Sequence, residues 1–252
     1  MASLTVENYV KTIFKICLQN GDRLATTGRL AIALDVSPGT VTSMLKALSE
    51  AGLATYTPYE GVRLTDSGSQ LALEILRRHR LIECFLSEVL GMPWDEVHED
   101  AEQLEHSVSP RLVEKINDFL GHPEFDPHGD PIPRRDGSLP DRRLRSLADV
   151  SPGTSFELAR VSDQSPDFLR YLSHSGLLLG VRGTVTTSQP EAGIITIRLP
   201  DREASLSTEA AQKILVMDLV HSEDDDTSSA ADRPSRSVPT PHLNTLATRT
   251  TH

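Results

Sequence analysis

Cysteine is nearly missing from this chain. Cys17 and Cys84 are the only two in 252 residues. Both sit inside apolar helical patterns, so a reducing compartment is expected rather than a disulfide scaffold. Long apolar runs are missing too. No stretch approaches the roughly 18 residues that a membrane span needs, and Met1–Glu7 lacks the basic region and apolar run of a secretion signal. Positive charge is scarce, with 25 Lys and Arg against 36 Asp and Glu and a formal net charge of −11. That balance counts against nucleic-acid binding, which leans on phosphate neutralisation. Two features offset it. Acidic residues concentrate around His98–Glu105 and Glu223–Asp226, and carboxylates that ligate a divalent cation are neutralised by it. The expectation is a soluble, cytoplasmic protein without membrane contact.

What is present supports several compact parts, since 38 % of the residues are hydrophobic. Thr5–Leu18 places Tyr9, Val10, Ile13, Phe14 and Cys17 at helical spacing. Thr26–Leu34 is a second helical run. Ser37-Pro38 opens a third, to about Glu50, because Ser caps and Pro suits the first helical position; Gly52 stops it. Leu53–Thr57 and Val62–Leu64, around Pro58-Tyr59-Glu60-Gly61, predict a β-hairpin. Helices are expected over Asp66–Leu90, Pro93–His106 and Pro110–Gly121. The Pro-, Gly-, Asp- and Arg-rich stretch Gly121–Arg145 reads as a linker. Beyond it, β-like runs at Phe156–Val161, Val181–Thr187 and Gly193–Leu199 alternate with short helices at Pro166–Leu172 and Thr208–Ile214, which suggests a small barrel. His221–His252 has almost no large apolar residues and is expected to be disordered and dispensable. The fold class expected is mainly α with small β elements. Residues 1–65 form a winged helix-turn-helix and 66–122 a helical metal-binding and dimerisation part. A linker (123–148), the barrel (149–220) and a tail (221–252) follow. Leu81, Ile82, Phe85, Leu86, Val89, Leu90, Val113 and Ile116 exceed the apolar surface one small helical part needs, so a homodimer is expected.

Helix, short turn, helix and hairpin is the order of a winged helix-turn-helix. The helix from Pro38 would turn Gly39, Thr40, Thr42, Ser43 and Lys46 outward and Val41, Met44, Leu45 and Leu48 to the core. Its N-terminal donors and hydroxyls, with Ser37 and with Thr27 on the preceding helix, are the candidate contacts to phosphate and base edges. The Tyr56–Arg63 hairpin is the wing. Winged helices also serve as protein-binding modules, so this element alone does not decide.

A second constellation is more specific. His79 and Glu83 are four apart and share a helix face. His98, Glu102, Glu105 and His106 fall at i, i+4, i+7 and i+8 and span only about 100° of a helix circumference. Trp94, Val97, Ala101 and Leu104 make an apolar seam beside that stripe. Carboxylates crowded at the edge of a core are costly unless a cation sits among them. A solvated acidic face is the bland alternative, and the bracketing histidines weigh against it. The sulfur-free nitrogen and oxygen donors favour Mn²⁺ or Fe²⁺ over a structural zinc.

These residues resemble the DtxR/MntR family of iron- or manganese-dependent repressors, from about Glu7 to Leu219. The likeness is carried by Glu7-Asn8-Tyr9, Ser37-Pro38-Gly39-Thr40-Val41, His79-Arg80-Leu81-Ile82-Glu83, the run His98–His106 and Gly129-Asp130-Pro131-Ile132-Pro133. The resemblance implies an SH3-like third domain. It implies a regulatory metal site of Asn8, Glu102, Glu105 and His106, and a second of His79, Glu83 and His98 helped by Gln164 and Asp167. Iron-type members have Met at the position of Asn8 and Cys at that of Glu102. The manganese type carries a carboxylate where this chain has Lys11, which points to two separated sites here. Asp126 and Asp130 replace the neutral residues that help Arg80 hold an anion in iron-type members, which argues against that anion here.

The reading is therefore a homodimeric, Mn²⁺-responsive repressor of metal-homeostasis genes that binds double-stranded operator DNA, with Fe²⁺ response as the alternative. The rivals are a metal-dependent hydrolase, against which no nucleophile motif or phosphate loop is found, and a metal-independent winged-helix interaction module.

Overall fold

Six of the eight α-helices among the described residues begin on a hydroxyl residue whose side chain accepts from a first-turn N–H three residues on: Ser207 near the C-terminal end and, in the first half of the chain, Ser3, Thr26, Ser37, Thr65 and Ser109. The latter caps set the frame of the helical half. The computed structural model describes residues 3–21 and 23–219. The expected tail, 221–252, lies outside them.

Helix α1 (Leu4–Gln19) packs with α2 (Thr27–Ala33), α3 (Pro38–Glu50) and the hairpin β1 (Ala54–Thr57) and β2 (Gly61–Leu64). Tyr9, Val10 and Ile13 of α1 and Val41, Leu45 and Leu48 of α3 close one core, to which Ala72 and Ile75 of the long helix α4 (Asp66–Glu88) also belong. The winged part is thus seated directly on α4. Helix α6 (Pro110–Phe119) packs against one side of α4 through Leu81, Val113 and Ile116, and α5 (Val97–Leu104) against another through Ile82, Val97 and Ala101.

The sequence predicts a helix from Pro93, but α5 begins only at Val97. Its N-cap residue Glu96 makes no side-chain cap, and the Trp94 carbonyl accepts from His128 Nε2 at 2.8 Å. The Trp94 ring, instead of extending the seam, stacks on His128 with centroids 6.2 Å apart. Leu104, at the other end of that seam, is 41 % exposed.

A larger difference concerns residues 121–145. The stretch read as a linker is packed over residues 124–132. Asp126 Oδ1 accepts from His128 N and Asp130 N, a turn that Asp favours, and Ile132 N donates to the Glu124 carbonyl. Asp126 and His128 are buried. Gly129 has φ +85°, and a Cβ there would lie 2.1 Å from the Ala159 carbonyl oxygen, so the turn presses against the following sheet as only glycine allows.

That sheet is antiparallel with strand order β3-β8-β4-β5-β6-β7: β3 (Arg145–Ser146), β4 (Ser155–Val161), β5 (Arg182–Gln189), β6 (Ile194–Arg198), β7 (Glu203–Ser207) and β8 (Ile214–Asp218). Helices α7 (Pro166–His174) and α8 (Thr208–Gln212) complete it. Strands β7 and β8 had no clear signal in the sequence. Phe156, Leu158, Val185, Ile197 and Val216 fill its core. No helix among the described residues is long and apolar enough to cross a membrane.

Most of the apolar residues assigned to a dimer face are covered within the chain: Leu81, Ile82, Leu86, Val113 and Ile116 are all buried. Of that set Val89 and Leu90 are exposed; Leu112 and Phe119, which the sequence did not assign to the face, are exposed as well, the latter at 70 %.

Candidate metal centre

Three helices and the packed turn meet at one place. Helix α1 brings Glu7, Asn8 and Lys11, which share a face at spacings of three and four. Helix α4 brings Arg78, His79 and Glu83, and α5 with the turn after it brings His98, Glu102, Glu105 and His106. Glu105 is fully buried at the centre. Its Oε1 lies 2.6 Å from Lys11 Nζ and 3.2 Å from His106 Nε2, and its Oε2 lies 2.6 Å from His79 Nδ1. Lys11 Nζ also reaches Glu102 Oε1 at 2.6 Å. His106 Nδ1 is 2.9 Å from Glu7 Oε2, and Arg78 donates to the Glu105 carbonyl at 2.7 Å. Sequence reasoning gave Glu7 and Arg78 no part in the site. The only local signal was the four-residue spacing of Glu7 and Lys11.

The second cluster adjoins the first. His79 Nε2 lies 3.0 Å from Glu83 Oε1, and His98 Nδ1 lies 3.1 Å from that oxygen. The two sites expected to be separate are contiguous, because His79 bonds Glu105 through one ring nitrogen and faces Glu83 through the other. Burial disfavours charge on both His79 and Glu83. Their mutual attraction, with the hydrogen bonds that His79 donates to Glu105 and His98 to Glu83, outweighs it, raising the His79 pKa and holding Glu83 well below the usual carboxylate range.

Glu83 belongs to a further cluster that the sequence did not disclose, with Asp126 and His128, all three buried. His128 Nδ1 is 3.9 Å from Glu83 Oε2 and from Asp126 Oδ1, and has no hydrogen-bond partner. Its Nε2 donates to the Trp94 carbonyl, so in the neutral ring Nδ1 carries a lone pair, the form in which histidine ligates. Burial pushes the Asp126 pKa well up, and the like charges of Asp130 and Glu83 add to this against Arg80. Asn8 Oδ1 is also buried without a partner. Each orphaned acceptor fits a divalent cation that would relieve it: His128 Nδ1 faces two buried carboxylates, and Asn8 lies one helical turn from Lys11, which holds Glu102 and Glu105.

The barrel residues expected to help do not join these clusters. Asp167 lies in the first turn of α7 with its side chain 98 % exposed, paired to Arg170. Gln164 donates to Asp130 Oδ2 at 3.2 Å. Asp130 and Asp126 hold Arg80, at 3.2 and 3.6 Å, so internal carboxylates stand where an anion would bind.

The candidate DNA face is the outer side of α3. Ser37, Pro38, Gly39, Thr40, Ser43 and Lys46 are exposed, and Thr27 and Thr42 half-buried. Thr42 and Ser43 donate to the Pro38 and Gly39 carbonyls, while Lys46 lines a cleft with Thr27, Thr42, Tyr56 and Tyr59 of the hairpin.

A winged helix-turn-helix whose first helix is tied to a His/Glu cluster defines a class, the metal-dependent transcriptional repressor. Three family models match in order: the iron-dependent repressor N-terminal DNA-binding domain over residues 1–62, its metal-binding and dimerisation domain over 65–134, and the FeoA domain over 145–218. The iron-dependent repressor IdeR of Mycobacterium leprae is 29 % identical over 225 residues, 84 % of this chain and 96 % of that protein. An uncharacterised helix-turn-helix transcriptional regulator of Methanocaldococcus jannaschii is 36 % identical over 118 residues, 47 % of this chain and 94 % of its own length. A solved manganese-dependent transcriptional repressor in complex with manganese is 39 % identical at a TM-score of 0.76, covering 85 % of this chain and all of that one. The chain belongs to the DtxR/MntR family of metal-dependent transcriptional repressors, with an SH3-like FeoA domain at its C-terminal side. It carries that family's DNA-binding and dimerisation domains, and the hydrolase reading falls away.

Proposed function

We propose that this repressor responds to Mn²⁺, with Fe²⁺ also competent, and acts on operator DNA in the cytoplasm. The observation that carries this reading is the donor set: every cluster is built from imidazole nitrogen and carboxylate oxygen. Cys84 is held aside, its thiol buried, its pKa raised by that burial, and bonded to the Phe125 carbonyl. Mn²⁺ has the weakest intrinsic affinity of the late divalent ions, so responding to it needs hard anionic ligands. The similar structure at 39 % identity is named for manganese, whereas the mycobacterial relatives are named for iron.

Asn8, Glu102, Glu105 and His106 are the residues proposed to hold the regulatory ion. His79, Glu83 and His98, extended by Asp126 and His128, are proposed for the second. Bound there, a divalent ion supplies positive charge to the clustered carboxylates and a link between α1 and α5. Glu7, Asn8 and Lys11 belong to α1, so any change in how they are held reorients the winged part relative to α4. Affinity for metal and affinity for DNA are then linked. The deciding experiment is an operator-binding titration of chelator-stripped protein, metal by metal. Mn²⁺ should activate at concentrations where Zn²⁺ or Co²⁺ gives no greater response. Equal operator binding in excess chelator would falsify the reading.

Two further outcomes follow from named contacts. Lys46→Ala should weaken binding to all DNA sequences alike and reduce the slope of log affinity against log salt by about 0.9, one phosphate's share. An unchanged slope would show that Lys46 meets no phosphate. Trp94 is the single tryptophan and stacks on His128, so its fluorescence should change saturably as Mn²⁺ is added. Glu83→Gln should remove that change; a full response in the variant would count against a metal at Glu83.

A further inference from the structure

The Lys11 side chain is 5 % exposed, and its Nζ stands 2.6 Å from both Glu102 Oε1 and Glu105 Oε1. An ammonium has three donors and no acceptor, and two of them are committed to carboxylates of α5 and the turn after it. Glu105 is fully buried, and two neighbouring carboxylates taken out of water need a cation between them. Helix α1 supplies that cation itself, as a charge on a flexible four-carbon tether. Lys11 Nζ therefore holds oxygens that the regulatory ion needs, one helical turn from Asn8, whose buried Oδ1 has no partner.

We propose that the Lys11 ammonium is the resident cation of the Glu102–Glu105 pair, a tethered competitor that a divalent ion displaces, so that Lys11 sets the metal concentration at which the protein responds. The inference rests on the reading of Glu102 and Glu105 as metal ligands. Competition of this kind lowers apparent affinity by the fraction of molecules whose site is free. A lysine that leaves its carboxylates in about one molecule in ten raises the required metal concentration about tenfold. It also gives the metal-free protein a link between α1 and α5, which a neutral residue at position 11 would not.

The test is calorimetric titration of the chelator-stripped, full-length protein with Mn²⁺. Glu102→Gln in the wild-type background should lose one bound ion, which identifies the ion concerned. Lys11→Met, which keeps the stem and removes the charge, should fill that site at about tenfold lower Mn²⁺, and Lys11→Arg should not. Acetylation of the wild type by a water-soluble succinimidyl ester, read by mass spectrometry at Lys11, needs no variant to fold. Lys11 should be protected without metal and modified at saturating Mn²⁺. An unchanged midpoint in Lys11→Met, while Glu102→Gln still loses its ion, overturns the competition and leaves the metal site standing. Equal protection of Lys11 with and without Mn²⁺ overturns it as well. A Glu102→Gln protein that binds every ion overturns both the competition and the ligand assignment.

Discussion

Glu105→Ala is expected to lower the stability of the metal-free protein by about 3 kcal/mol, the lower end of the cost of removing one partner from a buried ion pair. The carboxylate is fully buried and is met by Lys11, His79 and His106 at 2.6, 2.6 and 3.2 Å. Lys11 keeps Glu102 after the change, which is why the loss stays at the lower end. His79, whose pKa is raised because Glu83 and Glu105 outweigh its burial, loses one of its two acceptors. Glu105→Gln retains an oxygen acceptor and should lose less. Thermal melting in chelator reads both, and a fall of roughly 6–12 °C is expected for the alanine variant. A melting point within about 2 °C of wild type would show that Glu105 does not anchor the junction.

The second large effect is functional and leaves the fold alone. Glu102→Ala should lower Mn²⁺-activated operator binding about 100-fold, near the top of the usual range for coupling between sites. Glu102 has a side chain 35 % exposed and its Lys11 partner keeps Glu105, so no buried charge is stranded. Circular dichroism and melting should therefore stay near wild type while the Mn²⁺ response disappears. Glu102→Cys places sulfur in the same position and should shift preference toward softer ions such as Co²⁺ or Fe²⁺. Full Mn²⁺-dependent operator binding by Glu102→Ala would remove Glu102 from the regulatory site.

What the sequence disclosed is what local chemistry determines. Ser37-Pro38 marks the start of α3 because capping is a matter of three residues, and His79/Glu83 share a face because a helix repeats every 3.6 residues. What stayed hidden depends on distant groups. Lys11 meets Glu102 across 91 positions, and no spacing rule shows a lysine lying among the carboxylates. Asp126 and His128 sit in a stretch whose proline and glycine content is that of a linker, yet those residues make the tight turn that buries them. Trp94 leaves the helix expected from Pro93 because His128, a residue 34 positions on, bonds its carbonyl.

The Lys11–Glu102 contact also sets an order of events during synthesis. Chains lengthen at roughly 5–20 residues per second, so the 91 positions between the two residues correspond to about 5–18 s in which α1 exists and its carboxylate partners do not. Within that interval the remaining helices of the winged part and its hairpin are made, and Tyr9, Val10 and Ile13 can close their core on α3 without any help from the ion pair. The hydrophobic face of α1 is therefore committed before its charged face is answered. The later residues Glu102, Glu105 and His106 dock onto a helix already in place, and the polar junction they form with it is the last connection α1 makes.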